Sequence, residues 1–200
     1  MKVLAFDLGN VLFDFDYNLG LDKIKNRVGV SPDVIIEALF FKNFSLDFEK
    51  GLVSEKEFFL KFKKAFSGSL SFSEFIEAWS SIFSPNSETI ALVKTLRLKY
   101  PVYLISNICK LHYDYLYKNH REVFDLFKGL ILSFKVKSVK PEKKIYQILK
   151  ETAGTQFNNI IYIDDRQDLI QKAKTFGLCC IKFINNSQLV EELQKLGINS

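Results

Sequence analysis

Lys2-Val3-Leu4-Ala5-Phe6-Asp7-Leu8-Gly9-Asn10 opens the chain, and Ile160-Ile161-Tyr162-Ile163-Asp164-Asp165 repeats its form near the other end. Each is a short apolar run that stops at an acidic turn. Three further runs share the design. Val102 to Ile105 precedes Ser106-Asn107, Leu130 to Leu132 precedes Ser133, and Leu178 to Phe183 precedes Asn185-Asn186. Continuous runs that are polar only at their ends suit strands covered on both faces. Helical patterns lie between them. One opens at Ser87 with Ile90, Leu92, Val93 and Leu96 on its apolar side. Another opens at Pro141, carries Ile145, Ile148 and Leu149, and stops near Gly154. A third runs from about Gln167 to Phe176 and stops at Gly177. Alternating strands and helices imply right-handed crossovers and an α/β fold built on a doubly wound parallel sheet.

Residues 17–86 break the alternation and hold no convincing strand. They hold helix starts instead: Ser31 followed by Pro32, Ser54 with Glu57, and Ser71 with Glu74. The last two are capping boxes, in which serine and glutamate satisfy each other's exposed backbone donors. Phe-rich amphipathic sequence follows, including Phe58, Phe59, Phe62 and Phe66. The expected organisation is an α/β core from residues 1–16 and 87–200, interrupted by a small helical insertion at 17–86.

Composition narrows the class. The 200 residues are 48% hydrophobic and 26% charged, with 20 Phe, which is ample for a core and excludes a disordered chain. Three Cys are too few for a disulfide scaffold, so Cys109, Cys179 and Cys180 read as reduced thiols. Cys179 and Cys180 are adjacent on an expected strand and should point to opposite faces. No apolar stretch nears the roughly 20 residues that span a bilayer, and Asp7 interrupts the N-terminal run before it could serve as a secretory signal. A cytoplasmic location is expected. The net charge is 28 − 23 = +5, with Lys and Glu interspersed and no nucleic-acid motif. Neither a nucleic-acid nor a membrane partner is expected, and the oligomeric state is open.

Ligands of open α/β sheets bind beyond the carboxyl ends of the strands. The residues expected there are Asp7, Ser106, Asn107, Asp164 and Asp165, joined by Lys140 where the loop after Ser133 folds back. In this order they resemble the haloacid dehalogenase-like (HAD) hydrolase superfamily over almost the whole chain. Phe6-Asp7-Leu8-Gly9-Asn10-Val11-Leu12 is similar to the first family motif, with Asp7 in the nucleophile position. Leu104-Ile105-Ser106-Asn107 resembles the second, whose hydroxyl and amide bind phosphoryl oxygens. Lys140-Pro141 with Ile145-Tyr146 resembles the third, which supplies a cation, and Ile163-Asp164-Asp165 the fourth, which supplies metal-binding carboxylates. The resemblance implies a Rossmann-like core of HAD type, with the insertion as its helical cap. Asp7-Leu8-Gly9-Asn10-Val11 with Asp14 and Asp16, and Ser106-Asn107 with His112, resemble the branch containing glucose-1-phosphate phosphatases.

Phosphoryl transfer needs a positioned nucleophile and charge stabilisation. A carboxylate can be the nucleophile, through an aspartyl-phosphate. Three gathered carboxylates repel one another, at ~4 kcal/mol per pair about 4 Å apart with an effective dielectric of 20. A divalent cation reverses that field, and oxygen-only ligands beside a phosphate suit Mg²⁺. The expected ligands are Asp7 and Asp165, with Asp164 a ligand or a neighbour of the ligands; the resemblance adds the Gly9 carbonyl. Ser106, Asn107 and Lys140 are expected to hold the phosphate, with Asp7 and Lys140 as catalytic residues. The substrate class is a small phosphorylated metabolite, with sugar phosphates among the options.

Gly9 departs from the family pattern, which usually has a second Asp there to protonate the leaving oxygen. The resemblance implies that the glucose-1-phosphate phosphatase branch shares this glycine. Either the substrate has a good leaving group, as an anomeric sugar phosphate does, or another group supplies the proton, with Asp14, Asp16 and His112 as candidates; each also has a structural reading as loop, cap or hydrogen-bonded core residue. Lys137 stands where relatives often have Gly, and Leu169 where they often carry a polar residue, with Asp168 adjacent. Cys109 reads as a small buried hydrophobe. Two other functions fit the same residues: a metal-independent 2-haloacid dehalogenase, and a non-catalytic phosphate-binding module. Paired Asp164-Asp165 weighs against the first, because displacing halide from carbon gains nothing from extra negative charge.

Overall fold

The computed structural model describes residues 1–31, 33–35, 37, 45–66 and 69–199. Five parallel strands form the main sheet in the order β5-β4-β1-β6-β7. They are β1 (Val3–Phe6), β4 (Val102–Ser106), β5 (Gly129–Leu132), β6 (Ile160–Asp164) and β7 (Cys179–Lys182). β1 is central, flanked by β4 on one side and β6 on the other, with Leu4 opposite both Val102 and Ile161. The strand order therefore reverses at β1, the place where α/β sheets open a crevice.

β1, β4 and β6 are buried at every residue because both faces are covered. Alternate side chains go to different layers. Leu4, Phe6, Leu104, Ile161 and Ile163 join one apolar cluster, with Val93 and Leu96 of helix Ser87–Leu96 and Leu189 and Leu193 of helix Asn186–Lys195. Val3, Ala5, Tyr103, Ile160 and Tyr162 join the other, against Ile145 and Leu149 of helix Lys143–Ala153 and Ile170 and Ala173 of helix Gln167–Thr175. The doubly wound α/β fold is as expected. Cys179 and Cys180 divide between the two layers in the same way, and all three cysteines are free. Among the described residues no helix is long and apolar enough to cross a membrane.

Between β1 and β4 lies a third cluster, built by helices Tyr17–Val28, Glu55–Phe66 and Phe72–Ser80. Phe58, Phe59, Phe62 and Phe66 are all buried in it, and Phe58 stacks on Phe48 with ring centroids 4.1 Å apart. Both capping boxes form: Ser71 with Glu74, and Ser54 with Glu57, whose backbone N–H groups are exchanged at 2.8 and 3.2 Å. Gly20 is required by close approach, since a Cβ there would lie 2.0 Å from the Ala78 carbonyl oxygen of the packed helix. The expected start at Ser31-Pro32 is described in part. Ile35 donates its backbone N–H to Ser31 at 3.4 Å, and Pro32 lies outside the described residues.

Two readings change. Residues 17–86 do contain a strand: β3 (Phe83–Pro85) pairs antiparallel with β2 (Phe13–Phe15). Three residues are too few for a period to show, and Pro85 sits on the edge of this two-stranded ribbon, where its missing N–H costs no ladder bond. The helix expected to open at Pro141 begins at Lys143, with Glu142 as its N-cap residue.

Candidate active site

The carboxyl ends of β1, β4 and β6 converge, and each delivers its terminal polar residues to one cavity. Asp7, Ser106, Asn107, Lys140 and Asp165 all line it. Asp7 is fixed from both sides: its backbone N–H donates to Ile163 at 2.9 Å, and its carboxylate accepts the Leu8 N–H at 2.7 Å. The loop then turns through Asn10, whose φ of 53° is in the left-handed region that asparagine tolerates.

Lys140 is 3% exposed, yet its ammonium lies 2.8 Å from Asp7 Oδ1 and 2.7 Å from Asp164 Oδ2. It arrives there because Asn107 grips its backbone. The Asn107 side-chain N–H donates to the Lys140 carbonyl at 3.0 Å, and the Lys140 N–H donates to the Asn107 side-chain oxygen at 2.7 Å. The Asn107 side chain is thus engaged with the lysine loop, and what it offers the cavity is its backbone.

One ammonium against two carboxylates leaves an imbalance. Burial alone would lower Lys140, but Asp7 and Asp164 hold it above the ordinary range, so it stays charged. Asp164 is held below the usual carboxylate range: burial opposes this, and Lys140, the Tyr162 hydroxyl and the Arg166 N–H (2.8 Å) outweigh it. Asp7 is the group left short of positive charge. Its burial, stronger than the pull of Lys140, pushes it up to about 7, and Asp164 adds to the rise.

Ligand oxygens of Asp7, Asp164 and Asp165 lie within 4.8 Å of one another. Both Asp164 oxygens are already taken by protein donors. Asp165 faces the cavity, half-buried, and accepts one bond from the Asn10 side chain at 3.0 Å. An all-oxygen donor set with one under-compensated carboxylate fits a hard divalent cation.

The rest of the lining comes largely from the inserted segment and the ribbon. Phe15, Tyr17, Phe48, Trp79 and Phe83 belong to it, with Glu49 among them. Sequence reasoning missed Glu49, Asn10 and Arg166. Asp14 is exposed on β2, and Asp16 caps helix Tyr17–Val28 by accepting the Asn18 N–H at 2.8 Å. Neither is among the described residues lining the cavity. His112 does line it, but its Nε2–H donates to the Trp79 carbonyl at 2.8 Å, and burial lowers the imidazole to about 4. Cys109 is buried and its thiol is pushed up to about 12 by that burial. Asp168 pairs with exposed Arg166 at 2.7 Å and not with the cavity, which Leu169 lines. Lys137 takes the left-handed φ of 54° that glycine would adopt, and its ammonium meets the Gly51 carbonyl.

The chain matches no family model. It superposes on a HAD family enzyme of Bacteroides thetaiotaomicron with a TM-score of 0.82 at 29% identity, covering 94% of this chain and 98% of that one. That enzyme was solved with magnesium and inorganic phosphate. A HAD-like family hydrolase of Porphyromonas gingivalis shares the fold over 100% of this chain and 99% of its own, with a TM-score of 0.85 at 21% identity. By sequence, 75 residues are 31% identical to mouse bifunctional epoxide hydrolase 2; the chain spans only 14% of that protein. The protein is a HAD-like hydrolase.

Proposed function

We propose that the protein is a Mg²⁺-dependent phosphatase that cleaves a small phosphomonoester through an aspartyl-phosphate on Asp7. The observation that carries this reading is the placement of Lys140, 2.8 Å from Asp7 and 2.7 Å from Asp164, on the cavity that Ser106 and Asp165 share. The magnesium and phosphate bound by the Bacteroides enzyme support the same reading.

In this mechanism an Asp7 carboxylate oxygen attacks phosphorus in line with the leaving oxygen. The Ser106 hydroxyl, the Asn107 backbone N–H and the Lys140 ammonium hold the non-bridging oxygens as their charge redistributes. Asp7, Asp165 and the Gly9 carbonyl would hold Mg²⁺, while Asp164 stays with Lys140. When bound there, the cation would supply the second positive charge that keeps Asp7 ionised beside a phosphate dianion. Water then hydrolyses the acyl phosphate and restores Asp7.

The helical insertion acts as a cap that covers the leaving group. Its aromatic wall offers flat apolar surface suited to the C–H faces of a sugar ring, and Glu49 offers a polar contact at its edge. A sugar phosphate is therefore the favoured substrate, consistent with resemblance to the glucose-1-phosphate phosphatase branch. The protein works in a reducing cytoplasmic setting, in keeping with its three free thiols. The test is phosphate release across a panel of phosphorylated metabolites, with and without Mg²⁺. Release that needs Mg²⁺ and vanishes in Asp7→Asn is expected; turnover of a 2-haloacid that survives chelation would overturn the reading.

A further inference from the structure

We propose that Glu49 is the general acid and base of the reaction, donating its proton to the leaving-group oxygen from the part of the cavity lining that the inserted segment supplies. This rests on the phosphatase reading above and identifies the group that fills the role Gly9 cannot play.

Gly9 has no proton to give, and a larger residue there would have to displace the Phe15 ring. A Cβ at Gly9 would stand 2.8 Å from the Phe15 ring, so the ring occupies the space an acidic side chain would need. A leaving group that needs a proton must take it from another residue of the cavity. Glu49 lines the cavity from helix Leu46–Glu49 of the insertion.

Its position is built in. The Glu49 carbonyl accepts from the Ser133 hydroxyl at 2.7 Å, and the Ser133 hydroxyl oxygen in turn accepts the Ile108 N–H at 2.9 Å, one residue beyond Asn107. Lys50 pairs with Glu142 at 2.6 Å, and Lys137 reaches the Gly51 carbonyl. Three contacts around Glu49 thus tie its segment to the loops that carry Asn107 and Lys140. The Glu49 carboxyl itself receives the Ser45 hydroxyl at 3.4 Å and lies within the fields of Arg166 and Lys140.

The other titratable groups among the described residues that line the cavity are committed. Asp7 is the nucleophile, Asp165 faces the cation, Lys140 joins two carboxylates, and Arg166 pairs with Asp168. His112 has given its N–H to Trp79, and burial raises Tyr17 and Cys109 too far for them to cycle a proton near neutrality. Burial also raises Glu49, against the lowering effects of Ser45, Arg166 and Lys140, which favours the protonated acid before the first step.

The step balances. The Asp7 Oδ–P bond forms, the bond from phosphorus to the leaving oxygen breaks, and the Glu49 proton ends on that oxygen. In the second step water loses a proton to the Glu49 carboxylate as its oxygen joins phosphorus, and the aspartyl O–P bond breaks.

The test compares wild type and Glu49→Gln, in kcat/KM, along a series of falling leaving-group acidity: 4-nitrophenyl phosphate, phenyl phosphate, an alkyl phosphate. The variant keeps the size and hydrogen-bonding capacity of the side chain but has no proton to give. Its loss should be smallest on the nitrophenyl ester and grow by about 10²–10⁴-fold toward the alkyl ester. Glu49→Asp should flatten that dependence back toward wild type. A loss of equal size on all three esters, or no loss on any, overturns the proposal. No phosphate release by wild type from any ester with Mg²⁺ would refute the phosphatase reading itself, a different result from an active wild type with an indifferent Glu49→Gln.

Discussion

Replacing Asp7 by Asn should abolish turnover and, in metal-free buffer, make the protein more stable. Asp7, Asp164 and Lys140 form a buried group in which two carboxylates face one ammonium. Asp164 keeps its charge, so Asp7 bears the cost, and its carboxyl rises from 3.8 to about 7. A group whose folded value is raised gives stability that is fully present below its unfolded value and is lost as pH climbs through the folded one. Metal-free wild type should therefore lose this contribution between about pH 4 and pH 7, and stay without it above. The span of about 3 units corresponds to an upper bound of ~4 kcal/mol, at ~1.4 kcal/mol per unit. Relaxation around the charge reduces it, so ~1–4 kcal/mol is expected at pH 8. For a domain of this size that is a rise in Tm of roughly 2–16 °C for Asp7→Asn. Asparagine keeps the shape and leaves Lys140 with Asp164 as its partner. The assay is thermal unfolding of both proteins in EDTA from pH 4 to pH 8. The difference should be near zero or reversed at pH 4 and grow in favour of Asn toward pH 8. A variant less stable than wild type at pH 8 would refute the charge balance proposed for this group.

Lys140→Met should cost about 3–5 kcal/mol by urea denaturation at neutral pH, because it strands two carboxylates in the interior. Gly9→Asp should not install an acid: the new side chain meets Phe15 at 2.8 Å, so a loss of about 1–3 kcal/mol is expected, smaller when combined with Phe15→Ala. Gly20→Ala should destabilise by at least a similar ~1–3 kcal/mol, since its methyl would strike the Ala78 backbone and not a yielding side chain. Ser71→Ala should remove the side-chain half of its capping box, leaving the backbone N–H bond to Glu74, and cost about 1 kcal/mol in the same assay.

The core was legible because its strands are covered on both sides. Such strands must be apolar at every residue, as Ile160 to Ile163 are, and become polar only where they end. The gathering of Asp7, Ser106, Lys140 and Asp165 followed from that rule with the family resemblance. Contacts distant in sequence were not legible. Nothing local to Asn107 shows that its side chain is occupied by the backbone of a residue 33 positions away. Asp164 and Asp165 are neighbours of one type; Lys140, Tyr162 and the Arg166 N–H saturate the first, while the second faces the cavity. Glu49 was invisible for a different reason: a four-residue helix has too few positions to display a face, and its direction is set by Ser133, 84 residues later. β3 escaped notice because its three residues are organised by β2, not by their own pattern.

Ser133 has one hydroxyl proton and two carbonyls to give it to, Glu49 at 2.7 Å and Ile108 at 3.0 Å. A docked polar contact usually resists separation, because the abandoned donor is left unsatisfied at about 1–3 kcal/mol. Here, if the Ser45–Gly51 stretch lifts away, a rotation of one torsion hands the proton to Ile108 while the Ile108 N–H stays bonded to the same oxygen. The serine would keep an acceptor in either arrangement, so parting that contact would strand no donor and would cost less than parting an ordinary buried pair.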